Sequence, residues 1–150
     1  MWITGGTGSS SQTTEFVDQF GSIVGNPLPK DFVNHCATAM NTTHGILTGG
    51  AYKTGGGYKD NTLIVRFDDF EMYDGPTLIN GRTGHGCGQF HHPNGTNYVI
   101  VAGGSGQSAP TQPNGFTPQG PISSVEILNV DSLNDDGWFE GTLITYKIRY

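Results

Sequence analysis

Short apolar runs that end in a pair of glycines occur three times along the chain, at residues 2–6, 45–50 and 98–104. The glycine pairs are about 44 and about 54 residues apart, near the roughly 40–50 residues that separate the blades of propeller proteins. Each run has the length and the β-branched or aromatic content of a strand. The pattern therefore predicts an all-β protein that stacks several copies of one small sheet.

The second copy contains four predicted strands, separated by turn signals rich in Asn, Thr, Gly and Pro. These strands cover residues 35–40, 45–48 and 62–67 and a short segment near 72–74. A glycine-rich loop, residues 51–61, separates the second strand from the third. Because one small sheet buries its faces only against its neighbours, we expect the four strands to form one blade of a stack.

The third copy repeats this order, with predicted strands at 85–90, 98–102, 124–129 and 138–140. A long loop rich in Gly, Pro and Gln, residues 105–121, follows its glycine pair. The alternation of apolar and polar residues in 124–129 is typical of a half-buried strand.

The first copy is incomplete, because it opens at its second strand. Residues 13–17 are predicted to be its third strand, in line with residues 125–127 of the third copy. A helix is the competing interpretation, since several apolar residues also fall on one helical face. These residues are Phe16, Val17, Phe20, Ile23 and Val24. We assign a partial blade 1 to residues 2–30, blade 2 to 33–78 and blade 3 to 82–142, and leave the tail 143–150 unassigned.

The composition fits one β-rich domain and argues against some partners. The chain has 150 residues, of which 24 are glycine and 13% are charged, and this much glycine suits many turns. The net charge is −6 and the seven Lys and Arg residues do not cluster, so no nucleic-acid partner is expected. No apolar run reaches the roughly 18 residues of a membrane span, and none is expected.

The two cysteines, Cys36 and Cys87, lie at similar points of successive copies, just after the first-strand histidine. They are too few for a disulfide scaffold. A disulfide between adjacent first strands is one alternative, and two buried free thiols are favoured over it. Two Asn-x-Thr sequons, at 41–43 and 94–96, are no more than chance supplies. The chain does not open with a signal-peptide pattern, and the compartment stays open, with the cytoplasm favoured.

A further pattern links the strands of the copies. A polar or basic residue and a histidine begin the first strand: Arg82-Thr83-Gly84-His85 fits this pattern, and Val33-Asn34-His35 fits it in part. Apolar residues then lead into Gly-Gly, an aromatic residue follows on the third strand, and another follows after it. The residues of this pattern are Gly5, Gly6, Gly49, Gly50, Gly103, Gly104, His35, His85, Phe67, Tyr73 and Trp138. In these positions the chain resembles the kelch repeat family, over residues 2 to about 142.

The resemblance implies a kelch-type β-propeller, and propellers have about four to eight blades. Two complete copies and a partial one do not close such a ring. We therefore expect further blades, or self-association, to close it. The glycine pairs are expected to adopt positive φ in crowded positions where a Cβ does not fit.

Kelch relatives often act as interaction modules, so the resemblance implies a scaffold that binds a protein partner. Recognition residues concentrate in loops on a rigid frame. The loops 51–61 and 105–121 follow successive glycine pairs and are expected to project from one face. Their aromatic residues Tyr52, Tyr58 and Phe116 are the candidate partner-binding residues. No catalytic residue, cofactor or metal is expected. The alternative is part of a kelch-like enzyme, an oxidase resembling galactose oxidase or a sugar isomerase.

A nucleotide-binding, Rossmann-type fold is a further alternative. Residues 3–11 resemble the strand and glycine turn that open such folds, and residues 104–109 spell Gly-x-Gly-x-x-Ala. At the first segment Ser11 replaces the third glycine. At the second, Pro110 and Pro113 prevent the helix that should follow. Loops between strands are favoured for both segments.

Two groups of polar residues are candidate sites. His85, Cys87, His91 and His92 are metal-ligand types, but their spacing is not that of a closed zinc site, and structural roles are favoured. The carboxylates within 68–71 and 135–136 fall between predicted third and fourth strands. Solvated turns are favoured there over a catalytic pair.

Overall fold

The computed structural model describes residues 2–4, 12–29, 32–52, 56–58, 60–107, 119–133 and 137–141. This part of the chain is β-structure, with a single-turn 3-10 helix at Val130–Ser132 and no α-helix. Its strands are β1 (Trp2–Thr4), β2 (Thr14–Asp18), β3 (Gly21–Val24), β4 (Phe32–Val33), β5 (Cys36–Ala39), β6 (His44–Thr48), β7 (Ala51–Tyr52), β8 (Gly56–Tyr58), β9 (Thr62–Arg66), β10 (Met72–Asp74), β11 (Arg82–Thr83), β12 (Gly86–His91), β13 (Asn97–Ala102), β14 (Ser105–Gln107), β15 (Gln119–Pro121), β16 (Val125–Asn129) and β17 (Trp138–Gly141).

Three antiparallel sheets correspond to the predicted blades. Their strand orders are β1-β2-β3 for blade 1, β5-β6-β9-β10 for blade 2 and β12-β13-β16-β17 for blade 3. In blades 2 and 3 each strand begins and ends within one residue of its predicted position. The predicted all-β, blade-like architecture is confirmed, and the sheets do not close a ring.

Blade 1 begins at its second strand, as the sequence predicts. Strand β2 pairs with β1 on one side and β3 on the other, so both of its backbone edges are hydrogen-bonded. The helix interpretation of this segment is therefore wrong. Phe16 does face the protein, where its ring stacks on Phe70 of blade 2 at 4.1 Å. Phe20, Ile23 and Val24 are exposed instead of forming a buried helical face.

A linker follows the outermost strand of each of the first two blades, and the two linkers have the same structure. The N–H of Gly25 donates to the Thr14 carbonyl (3.0 Å), and that of Gly75 donates to the Thr62 carbonyl (3.1 Å). Three residues after each glycine a buried leucine packs into the core. These leucines are Leu28 and Leu78. The repeat thus includes the linkers as well as the glycine pairs.

Alternate residues of blade 2 face different neighbours, because a strand turns successive side chains to opposite faces. Ile46 and Ile64 lie in the core shared with blade 3, whereas Leu47 and Leu63 lie in a second core on the other face. The larger core contains Met40, Ile46, Ile64, Leu78, Val99, Val101, Leu128, Val130 and Trp138. The smaller one contains Leu28, Leu47 and Leu63. One sheet therefore supplies side chains to two separate cores.

Cys36 and Cys87 form a disulfide between the first strands β5 and β12, with their Cα atoms 5.9 Å apart. The favoured expectation of two free thiols is wrong, and its alternative is correct. The cysteines are not at equivalent positions: Cys36 follows His35 directly, whereas Gly86 separates Cys87 from His85. This offset of one residue turns the two side chains to opposite faces of their own blades. Those are the faces that meet between blades 2 and 3.

Two further sheets occupy segments that were expected to be loops. Strands β4 and β11 precede the first-strand histidines and pair with the strands that follow the glycine pairs, giving the sheets β4-β7-β8 and β11-β14-β15. We call these sheets the arms of blades 2 and 3. The loop prediction for 51–61 and 105–121 is wrong where the structure describes these segments. The chain bends at each glycine pair and then continues as a strand of the arm.

Removal of the disulfide is expected to destabilise the protein. It joins residues 51 apart in sequence, and a crosslink over that span contributes about 2–4 kcal/mol by constraining the unfolded chain. The double variant Cys36→Ser, Cys87→Ser should unfold at correspondingly lower urea concentration. The unmodified protein under reducing conditions is the matched control and should unfold with the variant. Equal midpoints for variant and oxidised protein would contradict a disulfide that holds the blades together.

Candidate functional site

The arms of blades 2 and 3 lie next to each other at one end of the blades. Strand β8 of one arm is adjacent to strand β14 of the other. The segments after the two glycine pairs were expected to project from one face, and their described parts agree with that. The arms are the most prominent repeated feature outside the two cores, and they define the candidate functional site.

Backbone hydrogen bonds join the roots of the two arms. Asn34 and Gly84, at equivalent positions, both have left-handed φ values, 54° and 62°. The N–H of Gly84 donates to the Asn34 carbonyl (2.9 Å), and the N–H of Gly50 donates to the Arg82 carbonyl (2.7 Å). Because these bonds cross from one blade to the next, the arms are fixed relative to each other by the main chain.

The described glycine pairs have positive φ, as expected. The values are 60° for Gly49, 99° for Gly50, 67° for Gly103 and 88° for Gly104. A Cβ on Gly104 would lie 2.7 Å from the carbonyl oxygen of Thr83, which leaves no room for a side chain. Gly103 differs, since a Cβ there would find only the Ile122 carbonyl, at 3.8 Å. The crowding expected at Gly103 is absent, and only its φ value favours glycine.

His85 is a buried imidazole beneath the arms, 7% exposed. Its Nε2 is hydrogen-bonded to Oγ1 of Thr48 in blade 2 at 2.7 Å, and a Cβ on Gly49 would lie 2.7 Å from its Cε1. Burial, together with the charges of Arg82 and His35, lowers the pKa of His85 from 6.5 to about 4. The ring is therefore neutral at neutral pH and acts as a packed polar contact between blades.

Arg82 is fully buried at the start of the blade 3 arm. Its guanidinium forms an ion pair with Glu126, which is equally buried. Its Nη1 donates to the carbonyls of Gly103 (3.2 Å) and Ser124 (3.0 Å), and Nη2 donates to the Ser124 hydroxyl (3.0 Å). Its Nε donates to the Asn80 carbonyl at 3.3 Å. Each guanidinium nitrogen thus has an acceptor, which is what a buried cation requires.

Glu126 connects the same network to the linker between blades. Its Oε2 accepts the N–H of Ile79 (2.7 Å), and its Oε1 accepts the N–H of Asn80 (3.0 Å). Sequence reasoning missed this residue. The available signal was a carboxylate among the apolar residues of strand β16, opposite Val101 of β13. A buried carboxylate in such a strand requires a cation nearby.

Blade 2 fills the same positions with apolar residues. Strand register places Leu63 where blade 3 has Glu126. Counted back from the first-strand histidine, Phe32 stands where blade 3 has Arg82. Pro29, which has no N–H, stands at one of the two linker positions that donate to the carboxylate in blade 3. The cation, the carboxylate and a linker donor change together, as expected of one structural unit.

The aromatic residues of the repeat pattern lie in different environments. Phe67 is edge-on to Phe16 of blade 1, with ring centroids 6.0 Å apart. Trp138 is buried, and its Nε1 donates to the Pro76 carbonyl in the preceding linker at 2.8 Å. Tyr73 is 43% exposed. Two of the three aromatic residues therefore contact a neighbouring blade or its linker.

The candidate partner-binding residues fall in the arms or beyond the described chain. Tyr52 and Tyr58 lie in strands β7 and β8, so the backbone places both in the arm of blade 2. Their side chains lie outside the described part of the structure, as do Phe116, Gly5 and Gly6 in full. The predicted grouping of Tyr52, Tyr58 and Phe116 therefore stays a prediction.

The residues considered as metal ligands are separated in the fold. His85 lies between blades and Cys87 is in the disulfide. His91 and His92 are exposed at the other end of β12. Across the residues that the structure describes, no three His, Cys, Asp or Glu side chains are grouped as ligands of a metal ion.

The acidic turn after β9 is organised by Arg66. This arginine pairs with Asp68 (2.9 Å), Asp69 and Glu71 (3.1 Å). Its hydrogen bond lowers the pKa of Asp69 to about 2. The carboxylates are exposed, in agreement with the predicted solvated turn. Residues 135–136 lie outside the described chain.

The described part of the second glycine motif leads from strand β13 into strand β14. Residues 105–107 form strand β14 of an arm, and residues 108–118 lie outside the described chain. The earlier segment at 5–11 lies outside the described residues. In the described ranges, no helix has the length and apolar character to cross a membrane.

Comparison with known proteins does not identify the chain. No protein-family model matches it. None of the curated proteins is significantly similar to it. Its function is therefore inferred from the residues and their geometry.

Loss of Glu126 is expected to be far more harmful than loss of both members of its ion pair. Glu126→Leu leaves a buried cation without its partner, which costs about 3–5 kcal/mol of folding free energy. Arg82→Phe combined with Glu126→Leu copies blade 2 and should recover part of that loss. Recovery is incomplete because the two linker N–H groups still lack an acceptor. Urea denaturation gives the ranking, and Glu140→Leu, on the exposed neighbouring strand position, is the control, expected within about 0.5 kcal/mol of the unmodified protein. A double variant less stable than Glu126→Leu would contradict this account of the ion pair.

Protonation of His85 is expected to weaken the fold in mild acid. The unfolded ring binds its proton near pH 6.5 and the folded ring only near pH 4. Between these values the unfolded state holds more protons, so stability falls as pH is lowered from about 6.5 to about 4. In this window the slope of the unfolding free energy against pH reflects how many more protons the unfolded state binds. His85→Gln should lower that number by up to about one. His91→Gln, at the exposed end of β12, is the matched control. Identical slopes for the unmodified protein and His85→Gln would refute the assignment.

Proposed function

We propose that the chain is part of a kelch-type propeller that binds a protein partner through the arms of blades 2 and 3. The observation that carries this proposal is the adjacency of the two arms, whose roots are joined by backbone hydrogen bonds. Two neighbouring projections held in a fixed relation are placed to contact one partner together. Surfaces of this kind, on a rigid scaffold, are where recognition residues concentrate.

The frame beneath the arms supports a binding role because the Arg82 guanidinium, Nε2 of His85 and both cysteines are held by contacts within the frame. The guanidinium of Arg82 is surrounded by acceptors, and the ring of His85 is in contact with Thr48. The nearest cysteines are joined to each other. These groups position the arms and leave recognition to residues further out.

The composition of the arms differs from that of the whole chain. Residues 105–121 contain no Asp, Glu, Lys or Arg, and residues 51–59 contain two tyrosines and two lysines but no acid. The whole chain carries a net charge of −6. Tyrosine-containing surfaces that are poor in acidic residues are typical of interface cores. We expect the partner segment to be polar or acidic, because residues 51–59 contain two lysines and no acid.

The proposal includes closure of the propeller by further blades or by self-association. The face of blade 3 turned away from blade 2 carries Ile100, Ile127 and Phe139, and Phe139 is 41% exposed. The equivalent face of blade 2 is covered by blade 3. An apolar sheet face of this kind is ordinarily buried by a neighbour.

The test is to remove the arm aromatics and measure binding to the partner. The unmodified full chain is used to capture partners from an extract of its own source, and the captured protein is then purified. Tyr52→Ala combined with Tyr58→Ala should weaken its affinity at least about tenfold, because tyrosines in interface centres are hot spots. Calorimetric titration gives the dissociation constants.

Tyr73→Ala is the matched control, since Tyr73 is an exposed tyrosine on the outer strand of the same blade. It should bind the partner like the unmodified chain. Thermal unfolding of all variants checks that the fold is unchanged. Full affinity in the arm variant, with loss in Tyr73→Ala, would move the binding surface from the arms to the blade edge.

A further inference from the structure

Both Asn-x-Thr sequons fall in the turn between the first and second strands of a blade. Residues 41–43 lie between β5 and β6, and residues 94–96 lie between β12 and β13. Strands β5 and β12 begin at the arm roots, so these turns are at the opposite ends of the blades. The sequons therefore occupy equivalent places in successive blades, on the face away from the arms.

The side-chain amides of the two asparagines are held alike. Oδ1 of Asn41 accepts the N–H of Thr43 (2.9 Å), and Oδ1 of Asn94 accepts the N–H of Thr96 (3.0 Å). This is the asparagine turn that polar loops commonly use. Among the described residues, neither amide nitrogen donates a hydrogen bond and neither is buried. The nitrogens that a glycosylating enzyme modifies are therefore open to solvent.

An exposed aromatic group lies beside Asn94. The N–H of Asn94 donates to Nδ1 of His92 at 3.3 Å. The His92 ring is edge-on to Phe90 (5.9 Å) and to Tyr98 (6.4 Å), and Phe90 is 40% exposed. Rings with exposed apolar faces at this point offer a surface on which the first sugar of a glycan can pack.

The disulfide supplies the independent argument about compartment. The Cys36–Cys87 bond joins two blades, and structural disulfides persist in the secretory pathway and outside the cell but are rare in the cytosol. Attachment of glycans to Asn-x-Ser/Thr sequons belongs to secreted chains and to surface loops. The disulfide and the exposed sequons thus point to the same compartment, against the cytoplasmic location favoured from sequence.

We propose that Asn41 and Asn94 are N-glycosylated, which covers the end of the blades opposite the arms. The donor is an oligosaccharide on a polyisoprenyl pyrophosphate, and a host oligosaccharyltransferase catalyses the transfer. Nδ2 of the asparagine bonds to the anomeric carbon and loses one proton to solvent. The bond from that carbon to the pyrophosphate oxygen breaks, and the lipid pyrophosphate leaves with its electron pair. The proposal is independent of partner binding by the arms.

The test begins with the full chain expressed through the secretory pathway of a eukaryotic cell. Treatment with peptide N-glycosidase should increase its gel mobility and convert Asn41 and Asn94 to aspartate, detected by peptide mass mapping in heavy-oxygen water. Thr43→Ala and Thr96→Ala should each abolish one glycan, and the double variant both. Thr96→Ser keeps the sequon and should keep the glycan, which separates recognition from any effect on folding. Asn26, an exposed asparagine followed by proline, is the internal control and should stay unlabelled.

The same peptide map of the protein from its natural source decides the proposal. Heavy-oxygen aspartate at 41 and 94 supports it. A label at one turn alone supports that turn and overturns the proposal for the other. Unmodified asparagine at both positions, in the secreted or the natural protein, overturns it.

Discussion

A buried guanidinium requires an acceptor for each of its nitrogens, and much of blade 3 is arranged to supply them. The acceptors of Arg82 come from the linker before the blade, the bend after its second strand and the start of its third strand. The Glu126 carboxylate then returns to the linker through two backbone N–H groups. Satisfying one charge therefore fixes the arm strand, the linker, the bend and the third strand relative to one another. Because the arm begins at Arg82, its direction depends on this network.

The contacts between blades 2 and 3 are distributed along the whole first strand. Near the arms, the disulfide and the hydrogen bond between Thr48 and His85 join the two blades. Near the opposite end, Nε2 of Gln89 donates to the Met40 carbonyl at 2.9 Å. The apolar core lies between these polar contacts. Directional bonds at both ends set the position of one sheet on the other, and burial in the middle supplies most of the driving force.

The sequence predicts the blades well because their strands carry a strong apolar pattern. Residues 62–66 and 97–102 are apolar enough to be recognised in isolation, and glycine pairs mark where each second strand bends. The arms were not predictable in the same way. Strands such as Phe32–Val33 and Gly56–Tyr58 are too short to show periodicity, and they form only because the bend brings them together.

The polar contacts between elements could be predicted only by knowing which sheet faces meet. Cys36 and Cys87 pair only because blade 3 has one extra residue between its first-strand histidine and its cysteine. Sequence spacing alone does not show which sheet faces meet. Glu126 was missed for the same reason, since its partner lies 44 residues away on another element. The partner, the closure of the ring and the kelch relationship are proposals that sequence and geometry support without testing.

The one-residue offset of the cysteines has a consequence for the evolution of such arrays. Successive blades associate head to tail, so each interface is heterologous: the front of one sheet meets the back of the next. A side chain in the middle of a sheet face therefore does not meet its own copy, although backbone groups at the arm roots do, as the Gly84 N–H and the Asn34 carbonyl show. A side-chain link between the facing sheets of two blades must therefore join non-equivalent positions, as Cys36 and Cys87 do. The residues that differ from copy to copy, such as Cys36 and Cys87, are therefore the ones that can make one blade specific for its neighbour.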